Sequence, residues 1–141
     1  MRICGGLNPD SDRAQIHAKK MYESIRRRTS DYEKIAENTG FSIEQIQIVK
    51  NYIFNSRHVL PNSNFPKRFH ESFEIAESWK RLSEKGGKNI KPHDVLLLYH
   101  EIFEICLLLS NDTMTQEKAH LEATRKYNYQ RQSDIFYHRE C

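Results

Sequence analysis

The chain is poor in cysteine, and what it has is badly placed for cross-linking. Cys4, Cys106 and Cys141 form an odd, scattered set. They have no metal-binding spacing and do not resemble a disulfide framework, which points to a reducing compartment. No stretch of about 18 apolar residues lacks charge, so no membrane span is expected. No basic segment followed by an apolar core opens the chain, so no secretion signal is expected. Charge of one sign is not in large excess: the net charge is +3. Such a balance tolerates an anionic partner such as RNA or DNA without demanding one. HExxH is absent, as are internal repeats and a confident strand pair; only "GGKNI" would allow a short strand.

What is present is helical periodicity. The chain of 141 residues fits one domain with a modest core, since 38% of it is hydrophobic and 29% charged. Residues 1–10 resemble a linker, which predicts a domain cut from a longer protein. A first helix over 11–28 places Ile16, Met21, Tyr22 and Ile25 near one face, with Lys19, Lys20 and Arg26–Arg28 making a basic surface. Ser30 and Glu33 have capping-box spacing for a second helix, which Gly40 closes. Ser42 and Gln45 repeat the spacing for a third, with Phe41 and Ile46 placed as a hydrophobic staple. Ile46, Val49, Ile53 and Phe54 continue its apolar stripe.

The span "NSRHVLPNSNFPKRFHESF" then breaks regular structure with two prolines, and a loop of this length is often functional. A helix over 71–85 carries Ile75, Trp79 and Leu82, with Trp79 expected as a core anchor. Pro92 suits the first turn of "PHDVLLLYHEIFEICLLLS". Thr113 or Thr115 caps a last helix to about residue 127. The polar, aromatic tail over 128–141 shows no clear period. The expectation is an all-α single domain over 11–127, with five to six helices around an apolar central helix and a long functional loop.

Apolar residues surround nearly the whole central helix, so it should be buried. Its polar residues then need partners, because unpaired burial costs several kcal/mol. His100 and Glu104 share the apolar stripe one turn apart, His93 projects from the same side, and Glu101 points about 100° away. The loop adds His58 and His70, and the last helix adds His120. Histidine with a carboxylate supplies acid and base near neutral pH, and nearby Lys and Arg can stabilise phosphate. RNA carries its own nucleophile, the 2′-OH, so a metal-free ribonuclease fits this inventory. His100 and His120 are the expected acid/base pair, with His58 as a third candidate. Glu101 or Glu104 would orient an imidazole. Arg57, Lys67, Arg68, His93, Lys126 and Tyr127 are candidates for substrate binding.

Three alternatives accompany that expectation. The first is a zinc-dependent hydrolase using His100 and Glu104, with His58, His93 or His120 as third ligand. The leading reading needs no cofactor. The second is a helix-turn-helix, since Ala36, Gly40 and Ile46 have its spacing. Glu44, Gln45 and Gln47 argue against DNA, because Lys50 is the one basic residue in the recognition position. The third is a non-catalytic interaction domain whose polar core fixes the fold. Cys106 is expected in the core, since nothing in its helix suggests thiolate activation.

The blocks "CGGLNPDSD", "HAKKMYESIRRRTSDYEKIAENTGFS", "IFNSRHVL", "ESWKRL", "PHDVLLLYHEIFE" and "EKAHLEATRKYNY" together cover most of the chain. They resemble the C-terminal toxin-like domain of bacterial polymorphic toxins and of phage minor-capsid (head-morphogenesis) proteins. The resemblance implies an effector delivered as part of a larger protein, acting in the target-cell cytoplasm, often on nucleic acid such as RNA (tRNA included). It also implies a neighbouring immunity protein. The matching positions are His58, His93–Asp94, His100–Glu101, and His120 with Lys126, Tyr127 and Asn128. His70 stands where the pattern has Asp, which leaves it outside the expected catalytic set.

Overall fold

A computed structural model describes residues 8–61 and 64–138. Among these residues seven α-helices follow in order: α1 (Asp12–Arg27), α2 (Asp31–Thr39), α3 (Ile43–Lys50), α4 (Phe73–Ser83), α5 (Pro92–Ser110), α6 (Gln116–Lys126) and α7 (Tyr129–His138). There is no strand among the described residues, so the all-α class holds. "GGKNI" makes no strand; its two glycines lie in a 3₁₀ turn, Lys85–Gly87.

The helix ends follow local chemistry. Ser11, Ser42, Ser72 and Thr115 each cap a helix by accepting from the backbone N–H three residues on. At Ser42 the box is reciprocal, because Gln45 accepts the Ser42 N–H at 3.0 Å. Gly40 ends α2 at φ 85°, a left-handed position that suits glycine. Ser30 makes no side-chain cap, contrary to its spacing. The next residue is recruited for another task. Asp31 is buried, accepts from Lys50 Nζ at 2.8 Å through Oδ1, and from Trp79 Nε1 at 2.9 Å through Oδ2. This network ties α2, α3 and α4 together. Lys50 also donates to the Arg28 carbonyl at 2.7 Å.

The main core joins Tyr22, Ile35, Ile46, Phe54, Trp79, Leu82 and Leu98. Trp79 is wholly buried, as expected of an anchor, and its ring meets Phe54 edge-on. Met21, Tyr22 and Ile25 pack toward this core, whereas Ile16 is exposed; Ala14 and Ala18 are buried on α1 instead. The α3 stripe continues through a π-helical turn, Asn51–Asn55, which carries Ile53 and Phe54 inward.

α5 is the central helix, packed by α3, α4, α6 and α7. Its far end emerges from the core: Leu109 and Cys106 are exposed. Cys106 is therefore not a core residue; Cys4 and Cys141 lie outside the described residues. The tail also departs from expectation. Residues 129–138 form α7, whose Tyr129, Ser133 and Tyr137 are buried. Tyr129 exchanges a 2.8 Å hydrogen bond with Ser78, and Ser133 donates to Glu74 at 2.6 Å. Spacings of four residues give α7 a helical face, and its buried residues are polar-tipped, which hides the period from a hydrophobic count.

Candidate active site

α6 docks on α5 through small residues. Ala119 and Ala123 are fully buried, and their size lets the two helices approach closely. His120, beside Ala119, then reaches across to α5. Its Nδ1 lies 3.0 Å from Glu104 Oε1 and 3.4 Å from His100 Nε2. His100 Nε2 lies 3.4 Å from the same Glu104 oxygen. Glu104 Oε2 accepts a short hydrogen bond from the Tyr52 hydroxyl, and Gln116 Nε2 stands 3.5 Å from it. Three segments thus converge on one carboxylate: α5, α6 and the π turn.

His100 is buried, and its Nδ1 lies 2.9 Å from the Tyr127 carbonyl. A carbonyl only accepts, so Nδ1 carries the proton and Nε2 faces the cluster. His120 differs: its side chain is 56% exposed while Glu104 is buried. A Glu104-oriented imidazole with one edge open to solvent is the arrangement of an oriented base.

The charges of the cluster follow its contacts. Burial raises the Glu104 carboxyl, but hydrogen bonds from His100, His120 and Tyr52 outweigh it and bring the value down to about 2. The Glu104 hydrogen bond raises the His120 imidazole against the opposing effect of burial. Burial, reinforced by the Glu104 charge, raises Glu101 well above the usual carboxylate range. Glu101 Oε2 has no hydrogen-bond partner among the described residues. Two carboxyls three residues apart are thus driven in opposite directions.

A cavity of about 270 Å³ opens beside the cluster. Tyr22, Ile53, Leu60, Phe69 and Ile75 supply apolar walls, while Glu101, Glu104, Gln116, His70 and His120 supply the polar lining. A second cavity of about 310 Å³ touches His100, Glu101 and His120 from the side of Tyr129. Glu101 and His120 therefore line both.

The other candidates sort into near and far. The loop over 56–72 walls the first cavity through Leu60, Phe69 and His70. His70, set aside on sequence grounds, is thus a cavity residue; no spacing signal marked it. His58 stands behind Tyr52. Its Nε2 donates to the Tyr52 carbonyl at 3.0 Å, and its ring stacks on Phe69 at 4.1 Å. A two-way backbone bridge to Lys67 fixes it there. It buttresses the Tyr52 ring and does not join the imidazole cluster. Arg57, Lys67 and Arg68 are exposed on the same loop, and Arg68 donates to the Asn55 carbonyl at 3.3 Å.

Lys126 is exposed, with its ammonium 4.9 Å from the Phe103 ring centroid, and the Tyr127 ring stacks on Tyr99. Tyr127 contributes to the cluster through its carbonyl, which sequence could not reveal. His93 is separate. Arg81 holds Asp94 through two 2.8 Å bonds and reaches His93 Nε2 at 3.2 Å. His93 and His100 are seven residues apart, two helical turns. That distance places His93 against α4 and α7, while His100 faces α6.

Lys50, the one basic residue in the presumed recognition position of α3, is buried. Its ammonium is spent on Asp31 and the Arg28 carbonyl, so it cannot contact a phosphate. Trp79, wholly buried, offers no face for base stacking. No described helix is long and apolar enough to cross a membrane. No family model matches the chain, and neither a curated protein nor a solved structure matches it.

Proposed function

We propose that the chain is an effector (toxin) domain that cleaves RNA by acid–base chemistry at the His120–Glu104 pair. The observation that carries this reading is the 3.0 Å contact between His120 Nδ1 and a Glu104 carboxylate already held by Tyr52. Glu104 fixes the imidazole tautomer and leaves Nε2 to take the proton of a 2′-OH. The 2′-oxygen attacks phosphorus, forming a 2′,3′-cyclic phosphate, and the P–O5′ bond breaks. Glu101, a buried carboxylic acid on the same cavity, protonates the leaving 5′-oxygen. His100 supports the pair as a buried positioning residue. Arg57, Lys67 and Arg68 lie on the loop that walls the cavity and supply cations for the phosphate backbone. The sequence resemblance supports delivery within a larger protein, action in a target-cell cytoplasm and a cognate immunity protein.

The test is incubation of purified protein with total RNA, with and without EDTA. Discrete fragments in both arms, absent with His120→Ala, support the reading. Intact RNA, or equal cleavage by the variant, overturns it. Expression in a bacterium should arrest growth unless the immunity protein is present.

A further inference from the structure

His100 Nε2, Glu104 Oε1 and His120 Nδ1 form a nearly regular triangle with sides of 3.4, 3.4 and 3.0 Å. A tetrahedral zinc ion with bonds of about 2.0–2.1 Å has ligand–ligand edges of roughly 3.3–3.4 Å. The triangle therefore has the size of one face of that tetrahedron. All three atoms lie within 4.8 Å of one another.

The remaining atoms of His100 and Glu104 are already engaged. His100 Nδ1–H is taken by the Tyr127 carbonyl, and Glu104 Oε2 by Tyr52 and Gln116. Such outer partners fix ring orientation and tautomer in metal sites. His100 Nε2 faces the Glu104 carboxylate at 3.4 Å. Glu101 Oε2, buried and without a hydrogen-bond partner among the described residues, lies on the same cavity.

We propose that His100, Glu104 and His120 bind one divalent transition-metal ion of the zinc class, with the fourth coordination position open to the cavity. Two imidazoles and one carboxylate suit zinc, cobalt or nickel, whereas magnesium and calcium prefer an all-oxygen set. Two ligands come from one turn of α5 and the third from α6, so the ion clamps these helices together. It also takes the His120 Nδ1 lone pair and moves the ring proton to Nε2, the nitrogen needed as base. Zinc is then an inhibitor of cleavage. That consequence rests on the ribonuclease reading; the binding itself does not.

The test uses the full chain, stripped with chelator and returned to chelator-free buffer. Zinc chloride is titrated calorimetrically, and melting is followed in parallel. One ion per chain and a raised Tm are expected. His120→Asn, whose exposed ring is not needed for the core, and Glu104→Gln should each weaken binding by roughly 10-fold or more. His93→Gln should bind as wild type. Lack of saturable binding at one ion per chain overturns the site, as does unchanged affinity in folded His120→Asn. Cleavage without zinc binding removes the metal site alone. Zinc binding with intact RNA removes the ribonuclease alone.

Discussion

His120 and Glu104 lie on different helices, yet Nδ1 of one stands 3.0 Å from Oε1 of the other, with the histidine half open and the carboxylate buried. This pairing requires the small α6 face, Ala119 and Ala123, and it requires Tyr52 to hold the other carboxylate oxygen.

Tyr52→Phe keeps the ring that packs against His58 and Phe69 but removes the hydroxyl. A hydrogen bond to a charged group contributes about 1.5–3 kcal/mol. The variant should lose stability in that range by urea unfolding. RNA cleavage should fall with the looser carboxylate, and Tyr52→Leu should do worse.

Glu101→Gln replaces a buried carboxyl whose Oε2 has no partner among the described residues and that faces the Glu104 charge. A carboxyl raised by burial costs stability at neutral pH, where the unfolded chain releases its proton; the amide carries no such cost, so Tm should rise, by on the order of 1 kcal/mol in stability. The same change should reduce cleavage by about 10²-fold or more, because the amide cannot protonate the leaving oxygen. A more stable, less active protein is the expected pair of results.

Asp31→Ala leaves Lys50 buried without its counter-charge and Trp79 Nε1 without an acceptor. Breaking a buried ion pair from one side costs about 3–5 kcal/mol. Chemical denaturation should show a loss of that size, and Asp31→Asn a smaller one.

His93 gives the fold a pH dependence. Burial lowers its imidazole below the ordinary 6.5; Asp94 opposes this, while Arg81 and Lys91 add to it. The folded state therefore binds fewer protons than the unfolded chain just below that value. Stability from this group is present above about pH 6.5 and declines as pH falls toward the lowered value, by about 1.4 kcal/mol per unit of separation. Melting between pH 7.5 and 5.5 should show the decline, and His93→Gln should flatten that contribution.

The helical frame was legible because its signals are local. Ser42 with Gln45, Gly40, Pro92 and Thr115 act within one turn of themselves. Ser30 makes no side-chain cap, and the next residue, Asp31, serves Lys50 and Trp79, partners 19 and 48 residues away that no local spacing shows. α7 was missed because its buried face is Tyr129, Ser133 and Tyr137, which a hydrophobic count scores poorly. For the site, the one-turn spacing of His100 and Glu104 was visible, and His120, taken from the sequence as the partner of His100, lies beside that pair. Tyr52, Gln116 and the Tyr127 carbonyl could not be found, since each acts through the fold and two of them through ordinary-looking positions. His93 was grouped with His100 by helical phase. Phase gives direction, not which neighbouring helix is met.

The most direct test is cleavage of total RNA in EDTA by wild-type protein and by folded His120→Ala. The account predicts discrete fragments from the wild type and a loss of about 10²-fold or more in the variant. Equal fragmentation by both proteins, or intact RNA with wild type, would contradict it.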